Sequence, residues 1–302
     1  VSYAELAQLE REFDDADLQI IRQQYALQRP LFDKRQAFVA KIPGFWALVL
    51  EQVPPEVDQY IQPSDSQALI GCLQTLDVVR FEVDDPKGSP RSFSIKFGFS
   101  ENNYFENKVL EKKFWWRRAA DGWVGYVSEP VRIQWKEGRD LSGGLTEAAW
   151  KLWEAKQKLA KTANGNAKEK EMGLKEYSEV VRRVEESDEG SLSFFAWFSF
   201  VGNRPFVSAE ESVRATELVR EIAAKTGDEM EEVDDGEEED LDDILFNETE
   251  VFPNGDELAQ LLAEDVFPGA IKYFISAQEG EEDDEDLSEI DDEDIPDDES
   301  DE

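Results

Sequence analysis

The chain has 302 residues, 40% of them hydrophobic, including 19 Phe and 8 Trp, which is ample material for a core and excludes a wholly disordered polypeptide. Its formal net charge is −39, from 71 acidic against 32 basic residues, with no His and a single Cys, Cys72. That inventory excludes Ser-His-Asp and Cys-His nucleophiles, His-bearing zinc sites and intrachain disulfides, and no apolar run approaches the roughly 20 residues that cross a bilayer.

From Ser2 to about Lys41 there is no Gly and one Pro, Pro30. Leu6, Leu9, Phe13, Ala16, Ile20 and Leu27 recur with the three-and-four spacing of a heptad seam. A helix of this length spans roughly 55–60 Å, whereas a compact body of the other ordered residues measures about 45 Å. The helix is therefore expected to overhang its domain and to bury its seam against a second copy, antiparallel. Pro30 removes a backbone donor and should kink the helix, while Leu31, Phe32, Phe38 and Val39 carry an apolar face beyond it.

A second helix is predicted from Phe45 to about Gln52, stopped by Pro54-Pro55, and another short one over residues 65–75. The period then changes to two. Val79, Phe81 and Val83 lead into the turn Asp84-Asp85-Pro86-Lys87-Gly88, and Phe93, Ile95, Phe97 and Phe99 alternate with polar or small residues, the pattern of a hairpin with one buried face. Strands over 109–118 and 123–128, joined by Ala119-Ala120-Asp121-Gly122, extend the hairpin to an antiparallel sheet put at four strands, and Val131-Arg132-Ile133-Gln134-Trp135 reads as a further strand. Residues 146–162 and 168–186 read as polar helices separated by Asn164-Gly165-Asn166, and Ser208 with Glu211 forms a capping box for a helix to about Lys225. Helices following a meander give the α+β class.

Residues 228–243 hold 12 acids and residues 279–302 hold 17, with no Lys or Arg in either, so the two segments carry −29 of the net charge. Such runs repel themselves and stay solvated. The expected organisation is a dimerisation helix over 1–43, an α+β domain over 44–278 with the acidic insertion near 228–243, and a disordered acidic tail over 279–302. Tyr104, Phe105, Trp115, Trp116, Trp123 and Trp135 could offer bases a stacking platform, but the net charge opposes phosphate, so core packing and little direct nucleic-acid binding are expected. The acidic clusters lack the spacing of a calcium loop, and nothing singles out two carboxylates for acid-base catalysis. The expectation is a protein with no enzymatic activity, cofactor, metal or membrane span, in a reducing cytosol or nucleus.

Five segments occur in order: Lys41-Ile42-Pro43-Gly44-Phe45-Trp46, Asn103-Tyr104-Phe105-Glu106-Asn107-Lys108-Val109-Leu110, Ile133-Gln134-Trp135-Lys136-Glu137-Gly138-Arg139-Asp140-Leu141, Ser193-Phe194-Phe195-Ala196-Trp197-Phe198 and Glu264-Asp265-Val266-Phe267-Pro268. With the acidic tail, this ordered set resembles the nucleosome assembly protein family, most closely its SET (template-activating factor) branch. The resemblance covers most of residues 1–141, then 193–200 and 254–275. It implies a homodimer through the long helix, with an "earmuff" domain at each end and an acidic concave underside that binds core histones. The implied function is a histone chaperone that assists nucleosome assembly and chromatin remodelling without ATP, in the nucleus, with shuttling to the cytoplasm left open. A regulatory role is also implied, with a phosphatase or a chromatin-modifying enzyme as partner.

By the same resemblance, Asp256, Glu257, Glu264 and Asp265 line the underside. Residues 257, 261, 264 and 265 would share one helical face if the helix reaches that far, leaving Leu258, Leu262 and Val266 for the core. Two acids at a helix start also favour the macrodipole, so spacing alone leaves their role open.

Overall fold

The computed structural model describes residues 3–162, 167–187, 192–202, 207–226, 245 and 247–288. Helix α1 (Tyr3–Val39) continues through Pro30. Its residues divide into two stripes. Ile21, Arg22, Tyr25, Gln28, Arg29, Phe32, Arg35 and Val39 follow one another at mostly three- and four-residue steps and are buried or half-buried. This stripe lies on the body: Arg29 forms a forked pair with Asp77 at 2.9 and 3.2 Å, Arg22 donates to the Val83 carbonyl, and Arg35 sits among the rings of Phe32, Trp46 and Phe267. The other stripe holds the heptad seam. Leu6, Leu9, Phe13, Ile20 and Leu27 are exposed, from 49% at Leu9 to 76% at Leu27, as are Ala16, Leu31 and Phe38. At about 100° per residue, Tyr25 and Leu27 point about 160° apart, so α1 is docked by one face and bare on the opposite one.

Gly44, at φ 70°, turns the chain from α1 into α2 (Phe45–Glu51) so that Phe45 and Trp46 enter the core. Two short helices, α3 (Pro55–Asp58) and α4 (Ser66–Leu69), lead to the sheet. Strands β1 (Leu73–Val79), β2 (Phe93–Phe99), β3 (Val109–Arg118) and β4 (Val124–Ser128) form a four-stranded antiparallel meander in chain order. The register aligns Val78, Ile95 and Lys112, and next to them Leu76, Phe97 and Leu110, so one face of the sheet is a continuous buried row. A buried 3-10 turn, Phe194–Ser199, covers this face and meets Phe97 edge-on through Phe194, Trp197 and Phe198. Helices α5 (Leu145–Thr162), α6 (Ala167–Met172) and α7 (Lys175–Glu186) pack in a cluster, with α5 against that turn. Helix α8 (Ala209–Thr226) lies along β3 and α1, and α9 (Gly255–Leu261), a π turn (Leu262–Val266) and α10 (Phe267–Ser288) follow.

The α+β class and the antiparallel sheet are as expected, and the capping box is reciprocal: the Ser208 N–H donates to Glu211 at 2.8 Å and the Glu211 N–H to Ser208 at 3.2 Å. Several local readings need correction. The hairpin strand is Leu73–Val79, and neither Phe81 nor Val83 belongs to it. The chain leaves the sheet because Glu82 turns inward, where Arg117 on β3 grips it with two bonds of 2.6 and 2.7 Å and the Ser92 hydroxyl adds a third at 2.6 Å. The helix read over 65–75 is only Ser66–Leu69. Val131–Trp135 adds no strand; Val131 donates to the Phe198 carbonyl and Trp135 bridges Phe105, so this segment holds the aromatic turn instead. The helix read over 168–186 is broken between α6 and α7 at Gly173-Leu174. The boundary expected after residue 278 falls inside α10. Asn164-Gly165-Asn166, residues 228–243 and residues 289–302 lie outside the described residues.

Burial alone would raise the Glu82 carboxyl, but bonds from Arg117, Ser92 and the Ser89 N–H, with the Arg117 charge, hold it below its ordinary value. Arg117→Met strands that carboxylate in the interior and should cost about 3–5 kcal/mol. Thermal melting followed by circular dichroism should fall by roughly 10 °C. The pair's contribution is complete above the ordinary carboxylate range and is lost as the pH falls through the lowered Glu82 value. The stability gap between wild type and variant should therefore narrow on acidification, and a gap indifferent to pH would contradict the assignment.

Candidate functional site

The junction of α9 and α10 carries the sequence-predicted acidic residues, and the aromatic turn sets where it begins. Asn254 takes a left-handed conformation at φ 55°, and the Gly255 carbonyl accepts a 2.7 Å bond from the Trp197 indole N–H. A Cβ at Gly255 would lie 2.5 Å from the Phe200 ring, so only glycine allows this approach. From there the buried positions step by four: Leu258, Leu262, Val266, Ala270. A regular α-helix would rotate such a row away from the core, and the wider π turn at Leu262–Val266 offsets the rotation. The residues left over, Glu264 and Asp265, are exposed side by side.

Leu258, Leu262 and Val266 are buried, as the spacing predicts. The acids meet different neighbours. Asp256, half-buried, and Glu264 both act on Tyr126, whose phenol is pushed up to about 12 by burial, then by Glu264 and Asp256, against Arg80 and Arg91. Glu257 bears instead on Tyr60, raised by burial and by that charge, and Asp265 accepts a 2.6 Å bond from the Tyr273 hydroxyl. Asp256 and Glu264 are thus brought to a common neighbour, while Glu257 and Asp265 answer to different ones.

Beside Glu264 a cleft of about 440 Å³ opens between α1 and the body, walled by Tyr25 and Phe32 of α1, Trp116 and Tyr126 of the sheet, and Phe267. Two of its residues, Arg80 and Arg91, escaped sequence reasoning. Arg80 binds Glu264 at 3.3 Å and the Pro90 and Arg91 carbonyls, and Arg91 lies 5.4 Å over the Trp116 ring. Nothing in their local spacing marks them, because the loop after β1 is what delivers both. The aromatic residues weighed as a stacking platform include Phe105, which is buried against Phe99, Trp135 and Phe195 as core packing requires. Among the described residues no group of three or more His, Cys, Asp or Glu side chains is placed to hold a metal. The seam residues Leu6, Leu9, Phe13, Ala16, Ile20 and Leu27 lie on the face of α1 turned away from this cleft.

A long helix docked by one face on an antiparallel meander, with an acidic helical junction beneath, defines an α+β fold of the type seen in the crystal structure of the Vps75 histone chaperone. The two superpose with a TM-score of 0.52 over 91% of this chain and 97% of that one, at 22% identity. The chain belongs to the nucleosome assembly protein family, whose model matches residues 4–277. It is 30% identical to Protein SET of Drosophila melanogaster over 141 residues, 45% of this chain and 49% of that protein. It is 28% identical to NAP1-related protein 2 of Oryza sativa subsp. indica over 286 residues, 94% of this chain and 78% of the relative. With the SET-type relatives and a fission-yeast nucleosome assembly protein the match spans about half the relative's length, 41% to 59%.

The four acids are attached to this frame without supporting it. Glu264 is 53% exposed, so its pair with Arg80 is worth at most about 1 kcal/mol, and acids in the first turn of α9 add about 0.3–1 kcal/mol each. The quadruple change Asp256→Ala, Glu257→Ala, Glu264→Ala and Asp265→Ala should therefore keep the near-ultraviolet circular dichroism of the wild type and lower the melting temperature by about 3–12 °C, from a loss of about 1.6–3 kcal/mol at about 2–4 °C per kcal/mol.

Proposed function

We propose that this chain is a histone chaperone: it binds core histones, shields their charge from non-specific partners and passes them to DNA without ATP. The observation that carries the reading is the exposed pair Glu264 and Asp265 on a tightly packed helical junction, in a chain of the nucleosome assembly protein family. Vps75, which has the same fold, is a histone chaperone. A carboxylate held on packed helix presents its charge at a fixed place, and the acidic runs over 228–243 and 279–302 add to the total negative charge. Each exposed pair contributes about 0–1 kcal/mol, so grip comes from many such contacts and yields when the denser charge of DNA competes. The role is that of a binding protein in the nucleus and not of a catalyst.

The bare stripe of α1 supports an antiparallel homodimer. An antiparallel pair crossing near residue 22 sets Leu6 against Phe38 and Phe13 against Leu31, apolar contacts that a two-fold axis repeats.

In about 0.3 M salt, where charge is screened within roughly 6 Å, the quadruple alanine variant should bind core histones about tenfold more weakly than wild type. Removing the charges of 289–302 should change affinity less in the same titration. Wild-type affinity in the quadruple variant would move the binding surface elsewhere. Light scattering should give twice the chain mass of 34.5 kDa for the wild type and 34.5 kDa for the Phe13→Asp, Ile20→Asp variant, which puts charge into the seam.

A further inference from the structure

A groove of about 470 Å³ runs between the first half of α1, the 86–91 loop, the β3–β4 end of the sheet and α8. In a chain of net charge −39 its lining is basic: Arg11, Arg22, Lys87, Arg91, Arg118 and Arg220, with the buried Arg117 behind them. Only Asp14, Asp15 and Glu217 oppose them within the lining. Those cations that are paired are paired loosely. Arg220 meets Asp15 at 3.2 Å and Lys87 meets Glu210 at 3.4 Å with every partner more than half exposed, and Arg91 stands 4.0 Å from Asp14. Exposed pairs of this kind are worth about 0–1 kcal/mol and exchange readily. Among the described residues no carboxylate lies within ion-pair distance of Arg11, Arg22 or Arg118, and the buried Arg11 Nη1 atom has no acceptor.

We propose that this groove is the docking site of the chain's own acidic C-terminal segment, residues 289–302. The segment holds ten acids in fourteen residues and no base, so its charge complements the lining. A free polyanion such as nucleic acid must approach against the net charge of the whole molecule, whereas a tethered segment is already present at high local concentration. Fourteen extended residues reach up to about 45 Å, which is comparable with the width of the body. Docking holds these acids in reserve: a basic partner draws them out of the groove only by offering more charge than the lining does. The inference does not depend on the partner being a histone.

Zero-length carbodiimide coupling on the full-length protein tests it, because Lys87 presents an amine in the groove and coupling requires direct contact with a carboxylate. Peptide mapping should find Lys87 joined to Glu210, which the structure already pairs with it, and in addition to acids of 289–302. Arg118→Glu with Arg220→Glu should lower the second product at least about fivefold at unchanged circular dichroism, while the first remains. Arg220→Glu alone, at an exposed position, serves if the double variant does not fold, and should lower it in the same direction. Mixing isotopically heavy and light copies separates docking within a chain from docking onto a second copy, and either product supports the assignment. Coupling of Lys87 to 228–243 in place of 289–302, or a yield indifferent to charge reversal, overturns the proposal. So does capture of a duplex oligonucleotide that depends on Arg118 and Arg220 without any coupling to the tail.

Discussion

Two buried polar side chains, Asp65 and Lys112, hold the aromatic turn Phe194–Ser199 at its ends, and much of the remaining architecture is set by where that turn lies. Asp65 sits at its start, accepting from the Ser193 hydroxyl at 2.5 Å and from the N–H groups of Phe194 and Gln62 at 2.7 and 3.0 Å. Burial raises the Asp65 carboxyl in spite of these bonds. Lys112 sits at its end, wholly buried, donating to the carbonyls of Phe200, Glu129 and Phe198 at 2.7, 2.9 and 3.3 Å. Burial pushes the Lys112 amine well down, and an acceptor at the first N–H groups with a donor at the last carbonyls fills the backbone groups that a helical turn leaves unpaired. Because Lys112 is on β3 and Asp65 precedes α4, the turn is tied to the sheet and to the N-terminal helices together. Through Trp197 and Phe200 it then sets Gly255, and through Gly255 the start of the acidic junction.

The features legible in the sequence are those carried by local periodicity. The seam from Leu6 to Leu27, the alternation Phe93–Phe99 and the Ser208–Glu211 box each repeat within a few residues, and the backbone follows them. Features decided by distant partners were illegible. Phe81 and Val83 continue a two-residue alternation, yet Arg117, far along the chain, takes Glu82 and ends the strand before them. Val131–Trp135 has strand-like composition but spends its backbone groups on the aromatic turn. At the candidate site, spacing identified the buried residues Leu258, Leu262 and Val266 correctly, because they face one continuous core. It could not show which neighbour each acid meets, because the π turn changes the angle between successive residues and no residue type announces such a turn.

Charge is sorted along α1 as clearly as hydrophobicity. The docked stripe of α1 carries Arg22, Arg29 and Arg35, each bound to a carbonyl or carboxylate of the body, while its opposite stripe is apolar. On this face of α1 basic side chains thus serve an inner seam of the protein. The excess of acid raises self-repulsion, and the dense aromatic core supplies the cohesion that opposes it.

The wide turn between α9 and α10 works as a phase shifter. It lets the residues before Leu262 and those after Val266 each keep their own alignment with the core, although one unbroken helical path connects them. The joint itself has little tolerance for length. One residue fewer would close the turn to ordinary helical pitch and swing Phe267 and Phe274 off Trp46 and Phe45, so a surface segment that looks permissive to substitution should be among the least permissive to deletion.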